Sequence, residues 1–348
     1  MFVDDAVQHD MKIIEIYSEK ITCVGYKCNK IPMSLFEINI AFEITTVCKS
    51  LCKHCYLNCT PEWINVPFKQ IKKILKKLSK PINWNFENEE IYLKFNFKSL
   101  SWWDPFEYSD NLINLSDVIN ELLLYNNNIE LHVDWWLKTP SYINKLKWKQ
   151  IGYFLSFTQY MPNYKERTFK SINDLINIWA DQLVIDIICT PEDQKKLFKE
   201  LTFYLVEKWF KENEKDLTDQ TKSYYHLSSL INDNDKKVII EYRRPSPLWR
   251  AKKFISSFPE NKKWCGFWKK WNYYYLNSKW YLFPCAKWTA TYLPPITNIF
   301  EKSKTRILSD FMNYKKKMDL FSKNNKLWCE WCYNSFKEYI EWRYTINN

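Results

Sequence analysis

Residues 42–59 read Phe-Glu-Ile-Thr-Thr-Val-Cys-Lys-Ser-Leu-Cys-Lys-His-Cys-Tyr-Leu-Asn-Cys. An apolar run over 36–47 ends in Cys48, Cys52 and Cys55, spaced C-x3-C-x2-C, with Tyr56 next. Three thiolates at this spacing can wrap a loop around one corner of an iron–sulfur cube. The fourth iron then has no cysteine and stays open to a ligand. Zinc is the competing metal. Its sites usually pair cysteines as C-x2-C and take four ligands, and Cys59 could supply the fourth.

The spacing, the strand-like run before it and the aromatic Tyr56 after it together resemble the signature of the radical S-adenosylmethionine (SAM) enzymes. The resemblance implies a [4Fe–4S] cluster on Cys48, Cys52 and Cys55 whose open iron chelates the amino and carboxylate groups of SAM. It also implies reductive cleavage of the sulfonium to a 5′-deoxyadenosyl radical, fed by an electron donor such as flavodoxin or ferredoxin.

With 348 residues, 46% of them hydrophobic, the chain has material for one large domain and a small one. No run of about 18 apolar residues is present, so no membrane-spanning helix is expected. Asp4, Asp5 and Asp10 fall where a signal peptide would be basic. A cytoplasmic location is therefore expected, where cysteines stay reduced and ligate metals. The net charge of +11 is spread along the chain. It permits a nucleic acid partner without demanding one, and a solvated lysine surface explains it as well. Only three glycines occur, Gly25, Gly152 and Gly266, so glycine-dependent motifs cannot be present in their usual form.

Two β-like runs, 12–17 and 21–26, predict a leading hairpin within residues 1–35. Cys23 and Cys28 lie there at a spacing that suits no cluster. Beyond the cysteine loop, helical and strand-like patterns alternate. Helices are expected over 67–79, 112–125 (started by Asp110 or Asn111), 140–148, 168–179 and 191–210, the last with Pro191 in its first turn. Strands are expected over 90–97, 129–133, 153–157, 183–189 and 237–242. With the run at 36–47 this makes six strands, and the alternation argues for a parallel sheet with helices outside. The radical SAM partial (β/α) barrel has the same six-strand layout, with its cluster loop after the first strand. The expected fold is α/β: a partial six-stranded (β/α) barrel over 36–250 and a small cysteine-containing α+β extension over 251–348.

In parallel barrels the chemistry sits at the carboxyl ends of the strands. After the second strand the family carries Gly-Gly-Glu-Pro, whose backbone binds the SAM amino group. Here Trp102-Trp103-Asp104-Pro105 stands instead, which makes Asp104 a candidate and a plain Asp-Pro turn its alternative. After the fourth strand, Ser156 and Arg167 resemble the serine and arginine that contact the ribose and carboxylate of SAM in members with a SPASM extension. An arginine fork suits a carboxylate. Cys189 ends the fifth strand. By resemblance to peptide epimerases it donates a hydrogen atom, and by size alone it is a small buried hydrophobe. Glu192 and Asp193 suit the first turn of a helix, whose dipole they complement.

From residue 255 aromatics are dense and four cysteines are embedded: Cys265, Cys285, Cys329 and Cys332. Residues 277–285 read as a hairpin feeding Cys285, followed by Ile296-Thr297-Asn298-Ile299, a helix over 307–321 and the final C-x2-C. This resembles the SPASM/twitch extension of radical SAM peptide-modifying enzymes, although the hairpin glycine is missing and no cysteine follows Cys332. The resemblance implies an auxiliary [4Fe–4S] cluster on these four cysteines, and four thiolates could equally hold a structural zinc. It implies a peptide or protein substrate, matured by crosslinking, epimerisation or oxidation. Two alternatives remain. The charge and aromatics would suit a nucleotide or RNA substrate by stacking, or a small molecule. The lost glycines would suit a metal-stabilised binding protein of the same fold.

Overall fold

The structure, a computed structural model, describes residues 34–49, 52–53, 64–86, 89–100, 104–126, 129–133, 138–178, 180, 182–212, 226–233, 236–243, 273–284 and 295–324. The first half runs β1 (Ser34–Phe42), α1 (Phe68–Leu78), β2 (Ile82–Phe86), β3 (Glu89–Leu100), β4 (Ser109–Asp110), β5 (Ile113–Asn114), α2 (Leu115–Leu123) and β6 (Ile129–Val133). The middle runs β7 (Ile151–Phe157), α3 (Tyr164–Asn177), β8 (Gln182–Ile188), α4 (Pro191–Glu207), β9 (Lys211–Glu212), β10 (His226–Ile231) and β11 (Lys237–Arg243). The last part is β12 (Tyr273–Leu276), β13 (Tyr281–Phe283), β14 (Thr297–Asn298) and α5 (Lys304–Asn324). The leading hairpin expected within residues 1–35 lies outside the described residues up to Ser34. No helix among the described residues is long and apolar enough to cross a membrane.

The six strands expected from the alternation lie side by side in chain order, β1-β3-β6-β7-β8-β11, and each neighbouring pair is parallel. Parallel neighbours cannot be joined by a tight turn and need a crossover. Helices α1, α2, α3 and α4 lie in four of the five crossovers, and a single 3-10 turn, Ile143–Leu146, lies in the one between β6 and β7. The protein is thus mixed α/β with a large, mostly parallel sheet. The sheet continues past these six strands. β12 adds in parallel beside β1, with β13 and β14 antiparallel outside it. β10 and β9 extend the other edge, and β2 pairs with β3.

The two faces of the sheet differ. In β7, Ile151, Tyr153, Leu155 and Phe157 are buried while the residues between them are half-buried. The buried set continues on the neighbours as Ile40, Phe97, Leu131, Ile185 and Ile240, in one core with Ile71, Ile74, Leu75 and Leu78 of α1. Each such side chain contributes roughly 2 kcal/mol of burial. The register places Asn39, Asn96, His132, Ser156, Asp186 and Glu241 on the opposite face. A doubly wound parallel sheet is apolar on both faces. Here helices cover one face, and the other carries these polar groups among the apolar Phe154, Val184 and Ile239.

Several boundaries move for physical reasons. α2 starts at Leu115 rather than near Asp110 or Asn111, because Asn114 forms a capping box with Asp117. Residues 109–114 form the small β4–β5 ladder instead, and Asp110 turns back to accept from the Phe68 N–H at 2.7 Å, capping α1. The helix expected over 140–148 shrinks to the 3-10 turn. α3 starts at Tyr164, ahead of residue 168. β2, β9 and β10 are additional to the expected strands.

Asp310 fastens α5 to β14. It accepts from Thr297 Oγ1 at 2.7 Å and Lys302 Nζ at 2.6 Å, and pairs with Arg306 Nε at 3.1 Å. Burial raises its pKa, but the Lys302 and Thr297 hydrogen bonds and the charges of Lys302 and Arg306 outweigh that and hold it below the ordinary range. A depressed carboxyl stabilises the fold above its unfolded-state pKa and loses that contribution as pH falls through the folded value. Asp310→Asn is therefore expected to cost about 1.5 kcal/mol at pH 7. The gap to wild type should close as the pH drops below about 4, as urea titrations at several pH values would measure.

Candidate functional site

β1 delivers the chain to the carboxyl edge of the sheet, where it is clamped at once. Thr45 pairs with Asn65 in an antiparallel bridge. Thr46 N–H donates to the Ile64 carbonyl at 2.8 Å and Val66 N–H to the Ile44 carbonyl at 2.9 Å. Two hydroxyls reinforce the clamp: Thr45 Oγ1 accepts from Val47 N–H at 3.1 Å, and Thr46 Oγ1 from Ile64 N–H at 3.0 Å. Both ends of the cysteine loop are thereby joined at its base, which limits the conformations open to it.

Within the loop, Cys48 and Cys52 are buried. Lys49 Nζ reaches Glu107 Oε2 at 2.5 Å, in the 3-10 turn Pro105–Glu107 that follows β3. Lys53 N–H donates to the Tyr160 carbonyl at 3.0 Å, just past β7. The loop thus reaches from the end of the second parallel strand to the end of the fourth.

Glu43, immediately after β1, is only 6% exposed. Its carboxylate accepts from the Tyr275 hydroxyl, and its other oxygen accepts from Ser278 N–H at 2.8 Å. Its own N–H donates to the Leu276 carbonyl at 2.8 Å. The end of β1 is therefore tied to β12 and the turn after it, and β13 is followed by Pro284, the residue before Cys285. Lys77 of α1 braces the same region by donating to the carbonyls of Ile299 at 2.9 Å and Lys302 at 2.5 Å.

Asp104 is buried, and its Oδ1 accepts from Phe106 N–H at 3.0 Å, capping the turn begun by Pro105. This Asp-Pro turn carries Glu107, the partner of Lys49. Tyr142 donates to the Phe106 carbonyl at 2.8 Å. Burial, then the charges of Asp104 and Glu107, push its phenol far above the ordinary range, so it stays a donor. Ser156 lies on the polar face of β7, one residue before its end and in register with Asp186. Arg167 is in the first turn of α3, the helix that leaves β7.

Cys189 follows β8 directly. It is fully buried, in one apolar core with Ile185, Ile187, Leu197 and Leu201. Burial, then Asp193 and Glu192, push the thiol up to about 12, so it is protonated at neutral pH. Strand parity sets it with the helix-covered face, the place of a small hydrophobe. Cys189→Ala is expected to cost about 1 kcal/mol and Cys189→Ser about 2, because a hydroxyl there is buried among apolar groups. Equal urea midpoints for the two variants would contradict that environment. Asp193 accepts from Thr190 Oγ1 at 3.3 Å and from Gln159 Nε2, so this first-turn acid also ties α4 to the end of β7.

Cys55 and Tyr56 lie outside the described residues, as do Cys265, Cys285, Cys329 and Cys332. Among the described residues, no three His, Cys, Asp or Glu side chains come together as a metal site. The two loop thiols that are described, Cys48 and Cys52, fit a thiolate-held group. They are soft donors, buried, and carried on a loop clamped at its base. Glu43, Lys49, Glu107 and Tyr160 escape sequence reasoning because their partners are remote: Glu43 and Tyr275 are 232 residues apart, Lys49 and Glu107 58. The polar strand face is different. Its alternate residues interrupt otherwise apolar runs, a period-2 signal present in the chain itself.

No protein-family model matches the chain, and no curated protein sequence matches it. Among solved structures it is similar to SuiB of Streptococcus suis. SuiB bound to S-adenosylmethionine is 12% identical, with 86% of this chain and 76% of that one covered and a TM-score of 0.42. SuiB bound to the precursor peptide SuiA is 12% identical, with 86% and 77% covered and a TM-score of 0.43.

Proposed function

We propose that the protein is a radical SAM enzyme. One observation carries this: a C-x3-C-x2-C loop, with Cys48, Cys52 and Cys55, mounted on the carboxyl end of the first of six parallel strands in chain order. More particularly, it is a peptide or protein maturase that crosslinks, epimerises or oxidises its substrate. The hairpin feeding Cys285, the Thr297-Asn298 step and α5 support that narrower assignment. The helix layer on one face and the polar groups on the other support a partial barrel with a working interior.

Cys48, Cys52 and Cys55 would hold a [4Fe–4S] cluster, which would supply the one-electron chemistry for reductive cleavage of SAM. The chain's own residues do the positioning. Thr45 and Thr46 clamp the loop base, while Lys49 and the Lys53 backbone fix the loop across the strand ends. Arg167 and Ser156 would hold the carboxylate and ribose of SAM, Asp104 shapes the turn beside the loop, and Tyr56 closes the motif. Asn39, His132, Asp186 and Glu241 form the wall a substrate meets. Cys265, Cys285, Cys329 and Cys332 would hold the auxiliary cluster, and a cytoplasmic flavodoxin or ferredoxin would supply electrons.

Anaerobically reconstituted protein, given SAM and dithionite, is expected to yield 5′-deoxyadenosine and methionine. Intact SAM recovered from protein carrying its full iron complement would rule the proposal out.

A further inference from the structure

Tryptophan in this chain stands where the backbone suits glycine. The sequence has 3 glycines and 18 tryptophans in 348 residues, where an ordinary chain is about 7% glycine. Four tryptophans fall among the described residues: Trp84, Trp148, Trp209 and Trp280. Three of them have left-handed backbones, with φ of 63° at Trp148, 67° at Trp209 and 67° at Trp280. Glycine enters that region freely, whereas a bulky side chain there is an outlier. Among the described residues, the other non-glycine positions with positive φ are Asn111 and Asn163, a type that tolerates it.

Each of the three sits at a chain reversal. At the end of α4, Phe210 N–H donates to the Leu205 carbonyl at 3.2 Å and Trp209 N–H to the Val206 carbonyl at 3.0 Å. This is the helix stop that places glycine at the position of Trp209. Trp148 turns the chain from the 3-10 turn into β7, with Lys149 N–H donating to the Leu146 carbonyl at 3.3 Å. Trp280 closes the β12–β13 hairpin, its N–H donating to the Asn277 carbonyl at 2.9 Å, at the left-handed site where such loops take glycine. Trp148 and Trp209 are 65% and 78% exposed, so side-chain burial does not explain their conformation. The indole of Trp280 is buried and donates to Gln70 Oε1 at 2.9 Å, so there the backbone alone points to glycine. Trp102-Trp103-Asp104-Pro105 adds the same exchange in sequence, standing in place of glycine, glycine, acid, proline.

A single codon links the two residues: UGA lies beside the tryptophan codon UGG and one base from the glycine codon GGA. We propose that Trp102, Trp103, Trp148, Trp209 and Trp280 are encoded by UGA, and that the cell of origin inserts glycine at these positions. Residues 102–103 then allow a ligand close to the backbone. That last consequence rests on the radical SAM assignment, and the backbone geometry at 148, 209 and 280 does not.

The test is the coding sequence together with peptide mass spectrometry of protein isolated from the cell that makes it. UGA codons and glycine masses at these positions are expected. UGG codons, or tryptophan masses at 148 and 209, would overturn the proposal. In recombinant protein carrying tryptophan, Trp209→Gly is expected to raise Tm by about 2 °C while Trp209→Ala does not, since only glycine relieves a left-handed backbone. Equal Tm values for those two variants would also overturn it. Protein with glycine at 102 and 103 that still fails to bind SAM would count against the radical SAM assignment and leave this proposal standing.

Discussion

Alanine at Cys48, Cys52 and Cys55 together is expected to bring 5′-deoxyadenosine formation down to the no-enzyme background and to remove about four irons per chain. Any iron held at Cys265, Cys285, Cys329 and Cys332 should stay, because those cysteines are untouched. The loop base is closed by backbone and threonine hydrogen bonds rather than by the thiols, so the triple variant should keep its fold and thermal transition. Anaerobic reconstitution with iron and sulfide counting, followed by chromatography of the SAM products, measures this. A zinc site would behave differently: the wild type would hold zinc without iron and leave SAM intact. A triple variant that cleaved SAM as fast as wild type would end the active-site assignment.

Glu43→Ala carries the next largest expected effect. Removing the carboxylate leaves the Tyr275 hydroxyl and the Ser278 N–H without their buried acceptor. A loss of about 3 kcal/mol is expected, seen as a drop of several degrees in Tm. Tyr275→Phe should cost less, about 1 kcal/mol, since Ser278 N–H still holds the carboxylate. The double variant should fall short of the sum, because both changes remove the same bond. Because Glu43 joins the end of β1, which leads into the Cys48 loop, to the β12–β13 hairpin, the alanine variant is also expected to retain less iron after reconstitution. Additive losses would show that Glu43 and Tyr275 act separately.

The strand order was the most legible part of the fold. Apolar runs such as 129–133 and 183–189, separated by helical spacing, imply parallel neighbours, and those neighbours form. One edge of the sheet was less legible. β9 and β10 pair antiparallel at the edge, and their 211–236 stretch is polar enough to read as an interval. α2 was misplaced because Asp110 is a sound helix-capping residue that caps α1 instead. At the site, the cysteine spacing was plain in the chain, whereas the clamp at Thr45 and Thr46 and the Glu43–Tyr275 tie depend on partners brought in by folding. The Asp-Pro turn at Asp104 was legible in the chain, and the geometry given to it is that of a cap.

The central claim is an iron corner left open by Cys48, Cys52 and Cys55 for SAM. Electron paramagnetic resonance of the dithionite-reduced protein, recorded with and without SAM, addresses it most directly. The spectrum of one cluster is expected to change when SAM is added, and the change should vanish in the triple alanine variant. Superimposable spectra from an iron-replete sample, with SAM and without, would contradict the account.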